Sequence, residues 1–423
     1  MLAGSDAQNR VIGATTNANT RGRITSSASE FFIHNGANTL TIHSAITGTT
    51  NPVFTSAGTA GGATIRLTNA NTYVGSTFSN GVILLLDNQT GGGAAITGDL
   101  TLTGGNISGT ETGSVANSTV RNLGAHQIAD AAAVTVRGGA AWDLNGFNET
   151  IALVAFNSQG GITGGSTITT FSGALTLTNS ANTISASNLD DVRVISHLAG
   201  RLSLPSVATV TVAQVAGGLT AVQGTAGQSN EQIGLAINAS ILAGGTINKE
   251  GLGVLQLGGF SSQSLTVNVN AGQLVIGPNT NGSASNYADT AVNLAASGVI
   301  LDMRGNSNVA LGTISGVAGT FIKNFHPTSG STLVTGNAVS GTFAGTFVSD
   351  FRYGDSSSFN VLKTGSGGWT LSGDSSASLL NTFSIVGGAV ILDQATGRLG
   401  FITTNLSRGG VLTLNGANAL SDR

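Results

Sequence analysis

Two stretches of this chain place lysine, glycine and apolar residues at identical offsets. From Lys249 the series runs Lys249, Gly251, Gly253, Leu255, Leu257, Gly259; from Lys363 it runs Lys363, Gly365, Gly367, Trp369, Leu371, Gly373, with all six positions displaced by one constant amount. After a spacer the match resumes at a slightly larger offset, with Gly272, Leu274 and Ile276 answering Gly388, Val390 and Leu392, as a short loop insertion would produce. Apolar residues two apart share one face of a β-strand. Each copy therefore predicts strand, turn and second strand. A unit of this size cannot bury its own apolar face and must stack on its neighbours, so the repeat predicts a solenoid.

Composition agrees. Glycine supplies 63 of 423 residues and charged residues only 8%, against roughly 7% and about 25% in ordinary soluble domains. With 40% hydrophobic residues the chain is too apolar for a disordered tail. Four prolines and the lack of a three-residue glycine period exclude a collagen-like chain. The 16 basic and 19 acidic residues are scattered singly and give a net charge of −3, which leaves no basic patch for phosphates and excludes nucleic acid as a partner. Cysteine is absent, so disulfides and cysteine-ligated metals are excluded. Polar residues interrupt every apolar run well before the ~18 residues of a spanning helix. Residues 1–30 lack the apolar core of a secretory signal. If the protein is exported, the sequence is a mature form or an excerpt, and a membrane is reached only through a segment not present here.

Helical signals are poor throughout, and residues 231–242 come nearest to a helical pattern. Residues 1–29 are polar and read as a frayed or capping segment. Residues 30–423 read as one continuous β-helix, with a loop protruding around 187–206, where charge is denser. Strand-like alternation begins at Phe31 to Ile33 and Leu40 to Ile42, and echoes recur at Leu100 to Gly105, Leu175 to Thr183 and Val411 to Asn418. A second internal pair matches Gly139, Asp143, Leu144 and Gly146 to Gly298, Asp302, Met303 and Gly305 at one common offset. The aspartates there suit turns closed by an Asx side chain. At about 20 residues per coil the chain makes on the order of 20 coils, and parallel crossovers favour the right hand.

The lysine and glycine series resembles the glycine-rich repeat of autotransporter passenger domains and related bacterial surface proteins, of the pattern K-x-G-x-G-x-L-x-L-x-G followed by G-x-L-x-L. That resemblance implies an all-β, right-handed parallel β-helix displayed outside the cell or at the bacterial surface. It speaks for a fold and a location, not for a reaction.

Candidate chemistry is sparse. Asp190 and Asp191, with Arg193 two residues on, form the best acidic cluster, and paired carboxylates serve glycoside hydrolases as acid and base or nucleophile. Adjacent strand residues point to opposite faces, so this pair needs a turn to converge; otherwise it lies on a solvated loop. Gly354 to Ser357 and Gly373 to Ser376 imitate a serine-protease nucleophile motif without its second glycine, and Ile385 to Gly388 imitates the start of a mature trypsin-like chain with too few residues after it. The five histidines, His34, His43, His126, His197 and His326, have no second ligand at metal-binding spacing. Trp142 and Trp369 are expected to fill the core rather than to stack on sugars. No cofactor or metal is expected.

Together with what the resemblance implies about location, these features predict an extracellular structural or adhesive β-solenoid: a stalk, fibre or surface-display segment. Its expected partners are itself, as a homo-oligomer or filament, and host or matrix surface ligands. The rung motif at Leu412 to Asn418 has no visible cap, so the expectation is either a longer natural chain, continuing into an anchor, or a joining surface. The alternative is a secreted polysaccharide-acting β-helix enzyme or a phage tailspike-like protein.

Overall fold

The computed structural model describes residues 2–3, 9–14, 21–56, 63–90, 92–104, 117–157, 165–187, 195–214, 233–261, 263–277, 286–324, 329–349, 358–376, 378, 380–393, 399–407 and 409–415. Every regular element among them is a β-strand, and the paired strands run parallel. Parallel neighbours cannot be joined by a tight hairpin. The chain must travel around a coil before it pairs with itself, and it does so repeatedly. It folds as a parallel β-helix, in which crossovers of this type take the right hand. It divides into two compact units, Met1–Pro205 and Ser206–Arg423.

In the first unit each coil contributes up to three faces. One face stacks Leu40, Ile65, Leu84, Val120, Trp142, Ile168 and Leu198 in register, one residue per coil. All seven are buried. A second face stacks Ile33, Phe54, Ser79, Leu102, Val136, Phe156 and Ala186. The third is built from shorter strands, Arg23–Ser26, Ala45–Gly48 and Thr72–Tyr73, and is continued by the Ile96 to Ile128 bridge and the pairing of Glu149–Ile151 with Leu175–Leu177. The side-chain period of two sends every second residue into this core. Outward positions are mostly short and polar: Thr101, for example, pairs with Thr135.

The second unit follows the same rule. Leu235, Leu255, Leu274, Leu301, Ile322 and Phe347 form one inward file, and Ala208, Ile247, Val267, Val292 and Ile314 another. Toward the end of this unit the core becomes aromatic. Phe343, Phe347, Phe359, Trp369, Phe383 and Phe401 make edge, tilted and stacked contacts at centroid separations of 5.0–6.4 Å. Trp142 and Trp369 are both core residues, 1% and 2% exposed.

Three features differ from the sequence pattern. Coiling begins before residue 30, since Arg10–Ile12 pairs with Thr39–Ile42 and Arg23–Ser26 with Ala45–Gly48. The polar composition of this start hides strands whose inward residues are few. Of the span expected to protrude, residues 188–194 lie outside the described residues, and Ser196–Ser203 is a strand. The stretch with the nearest helical pattern contains the strand Ile233–Ile241, because its apolar residues are claimed by the coil above.

The repeat glycines mark where coils approach at backbone distance. Gly251 and Gly365 sit in corresponding turns at φ of 75° and 67°, a region glycine enters without steric cost. At Gly259 and Gly373 the constraint is space, because a Cβ would overlap the carbonyl oxygen of Ala239 or Gly345 in the coil beneath. Gly373→Ala is expected to lower unfolding stability by about 1–3 kcal/mol through overpacking. Gly92→Ala, with no atom within 4 Å of the added methyl, is expected to be neutral. Urea denaturation of both variants checks this pair.

Candidate functional site

The lysines that open the two repeat copies have an internal task. Lys249 lies near the end of the strand Gly245–Glu250 and shares the inward face with Ile247. Its Nζ donates to the carbonyl oxygens of Glu250 (3.1 Å), Gly251 (2.5 Å) and Ala271 (2.8 Å). Lys363 repeats the arrangement, donating to the carbonyls of Thr364, Gly365 and Gly387, the last two at 3.3 Å. In each copy two oxygens belong to the lysine's own turn and the third to the corresponding turn of the next coil. The ammonium is a clasp between coils. Its three donors are matched by three acceptors.

Burial lowers the Lys249 ammonium to about 8, with the Glu250 carboxylate pulling it back up; burial also lowers Lys363. Because the folded value lies below the ordinary 10.5, the folded state binds fewer protons than the unfolded chain between those values. Stability through this group therefore rises as pH rises from about 8 to 10.5. Lys249→Met is expected to remove that rise, and to cost about 1–3 kcal/mol at neutral pH by leaving carbonyls unmatched. Denaturant unfolding across pH 7–10.5 measures both effects.

The second repeated motif forms two equivalent turns. Asp143 Oδ1 accepts the Asn145 N–H at 2.7 Å, and Asp302 Oδ1 accepts the Arg304 N–H at 2.9 Å. Asn145 and Gly146, like Arg304 and Gly305, have positive φ, which is the Asx-stabilised left-handed turn. Asp143 also pairs with Arg121 of the preceding coil at 2.6 Å. Asp302 is fully buried and accepts the Gln273 side-chain amide at 2.9 Å. On the outer face of the second unit, side chains stack as a ladder: Asn268 donates to Asn248 at 2.9 Å, Asn293 to Asn268 at 3.4 Å, and Ser315 to Asn293 at 3.1 Å.

One titratable group escapes sequence reasoning. Glu149 is fully buried in the first unit. One carboxylate oxygen accepts the Asn122 amide (2.7 Å) and the Gln127 N–H (2.8 Å), and the other accepts the Thr150 N–H (3.3 Å). The Trp142 indole N–H in turn donates to Asn122 Oδ1 at 3.1 Å. The available signal is the spacing of Glu149 and Ile151, which puts the acid on the core face. Burial pushes the carboxyl up to about 7 against the pull of its hydrogen bonds. The folded state thus binds more protons than the unfolded chain between pH 4.5 and about 7, and stability through Glu149 falls as pH rises through that window. Glu149→Gln is expected to flatten this dependence, measurable by thermal unfolding between about pH 4.5 and 7.5. Glu149 is buried, and its carboxylate is spent on hydrogen bonds to Asn122, Gln127 and Thr150.

The remaining sequence candidates fall into place residue by residue. Asp190, Asp191 and Arg193 lie outside the described residues, as do Gly354 to Ser357 and His326. At the other nucleophile-like motif, Asp374 Oδ1 accepts the Ser376 N–H (2.9 Å) and Ser375 Oγ accepts the Phe347 N–H (3.0 Å); both side chains serve the backbone. Ile385 to Gly388 spans a buried strand end and the turn leading into the strand Gly388–Leu392. His34 and His43 hydrogen-bond to Thr55 and Thr68 of the next coil at 2.8 and 2.6 Å. Among the described residues no group of three or more His, Cys, Asp or Glu side chains converges on a metal-sized point. No family model, curated protein or solved structure matches the chain.

Proposed function

We propose that this chain is a structural segment of an autotransporter-like bacterial surface protein, a stalk or fibre displayed outside the cell that carries adhesive contacts on its sides. The observation that supports it best is the internal use of its polar chemistry. The repeat lysines clasp backbone carbonyls of successive coils, Ser375 and Asp374 close turns, and asparagines hydrogen-bond along the stacking direction. Groups that would serve catalysis elsewhere here serve cohesion between coils. Low charge and short outward side chains fit a body whose task is reach and rigidity. The series from Lys249 and Lys363 supports the bacterial surface assignment.

Mild protease treatment of intact cells that make the protein is expected to release peptides of this chain while a cytoplasmic marker stays whole. Cells lacking it are expected to lose attachment to matrix-coated surfaces. Recovery of the chain only from lysed cells would end the display assignment, and undiminished attachment would end the adhesive one.

A further inference from the structure

In the first unit, one corner of three successive coils differs from the rest of the surface. The turns 144–147 and 170–173 lie directly on each other: a Cβ on Gly173 would overlap the carbonyl of Phe147, and one on Gly146 would touch Ser172 Oγ at 3.0 Å. Register places Asp143 opposite Thr169, so Asn145 and Phe171 occupy the same position in consecutive turns. Both are left-handed, at φ of 51° and 53°. Asparagine tolerates that conformation; a bulky side chain with a Cβ avoids it. Phe171 nevertheless adopts it and is 60% exposed, with Phe147 36% exposed on the coil beneath. An exposed ring held in an unfavourable conformation adds nothing to the core.

Polar groups around the rings are pinned from behind. Asn145 Nδ2 donates to the Asn122 carbonyl (3.2 Å), Asn148 Oδ1 accepts the Ala174 N–H (2.9 Å), and both residues are exposed. On the next coil, the Arg201 N–H donates to Thr170 Oγ1 (2.6 Å) and its guanidinium to the Ser172 carbonyl (3.2 Å). Of the described carboxylates at this corner, Asp143 is paired with Arg121 and Glu149 is buried. Arg201 makes no ion pair among the described residues.

We propose that this corner, built on Phe147, Phe171, Asn145, Asn148 and Arg201, is a binding site for an acidic polysaccharide. A pyranose presents a C–H face the size of a phenyl ring, which accounts for the two rings. Its hydroxyls meet the side-chain amides of Asn145 and Asn148, and a uronate carboxylate meets the guanidinium in charge-assisted hydrogen bonds. An acidic peptide would satisfy the arginine but has no regular apolar faces for the rings. Fixed side chains lose little freedom on binding, which favours affinity from a small site. The site is a property of the folded chain in solution and does not depend on where the protein is displayed.

Calorimetric titration of the purified full chain with a hyaluronan hexasaccharide, and with its carboxyl-reduced counterpart, tests the assignment. The acidic sugar is expected to bind, with the reduced one about tenfold weaker. Phe171→Asn installs the residue that the turn prefers, so it is expected to keep or raise the melting temperature while weakening binding about tenfold or more. Arg201→Gln is expected to erase the preference for the acidic sugar. The proposal is overturned if neither sugar binds, if Phe171→Asn leaves affinity unchanged, or if a polyglutamate peptide or anionic lipid vesicles bind as well as the hexasaccharide.

Discussion

Everything in this molecule depends on parallel coils meeting at backbone distance. A parallel ladder fixes neighbouring strands at about 4.8 Å, and the turns between strands must then keep the same spacing. Turns hold no regular ladder, so each must be locked individually. The chain does this with small sets of groups: a lysine ammonium shared by three carbonyls at Lys249 and Lys363, an aspartate closing a left-handed turn at Asp143 and Asp302, and glycines where any side chain would strike the coil beneath. The core supplies the hydrophobic drive. These locks decide that the turns stack with the strands.

Much of this architecture is legible in the sequence itself. The two-residue alternation of Leu255 with Leu257 and of Trp369 with Leu371 identifies inward faces, and the constant offset between the copies requires stacking. Both tryptophans enter the core as their positions imply. What cannot be read is any contact whose second half lies one coil away. Lys249 is recognisable as inward from its spacing to Ile247, yet the carbonyl of Ala271 that completes its coordination belongs to another coil. Glu149 is similar: its burial follows from Ile151, but its partners Asn122 and Gln127 are supplied by the coil before it.

Phe171 is invisible in the sequence for a different reason. Left-handed positions announce themselves through glycine or asparagine, as at Asn145 and Gly146, and nothing in a phenylalanine signals one. Only the register between coils shows that it occupies the asparagine's place. The early strands Arg10–Ile12 and Arg23–Ser26 are also obscured, since their inward positions include residues with no apolar signature.

The two tryptophans have a use of their own. Trp142 belongs to the first compact unit, where its indole donates to Asn122; Trp369 belongs to the second, where its indole donates to the Ile314 carbonyl and its ring contacts Phe347 and Phe383. Since the chain has two tryptophans and three tyrosines, its tryptophan fluorescence, excited beyond the tyrosine band, is the sum of one indole emitter per unit, in unlike surroundings. Replacing either indole by phenylalanine leaves a single natural reporter for the other half, with no dye attached.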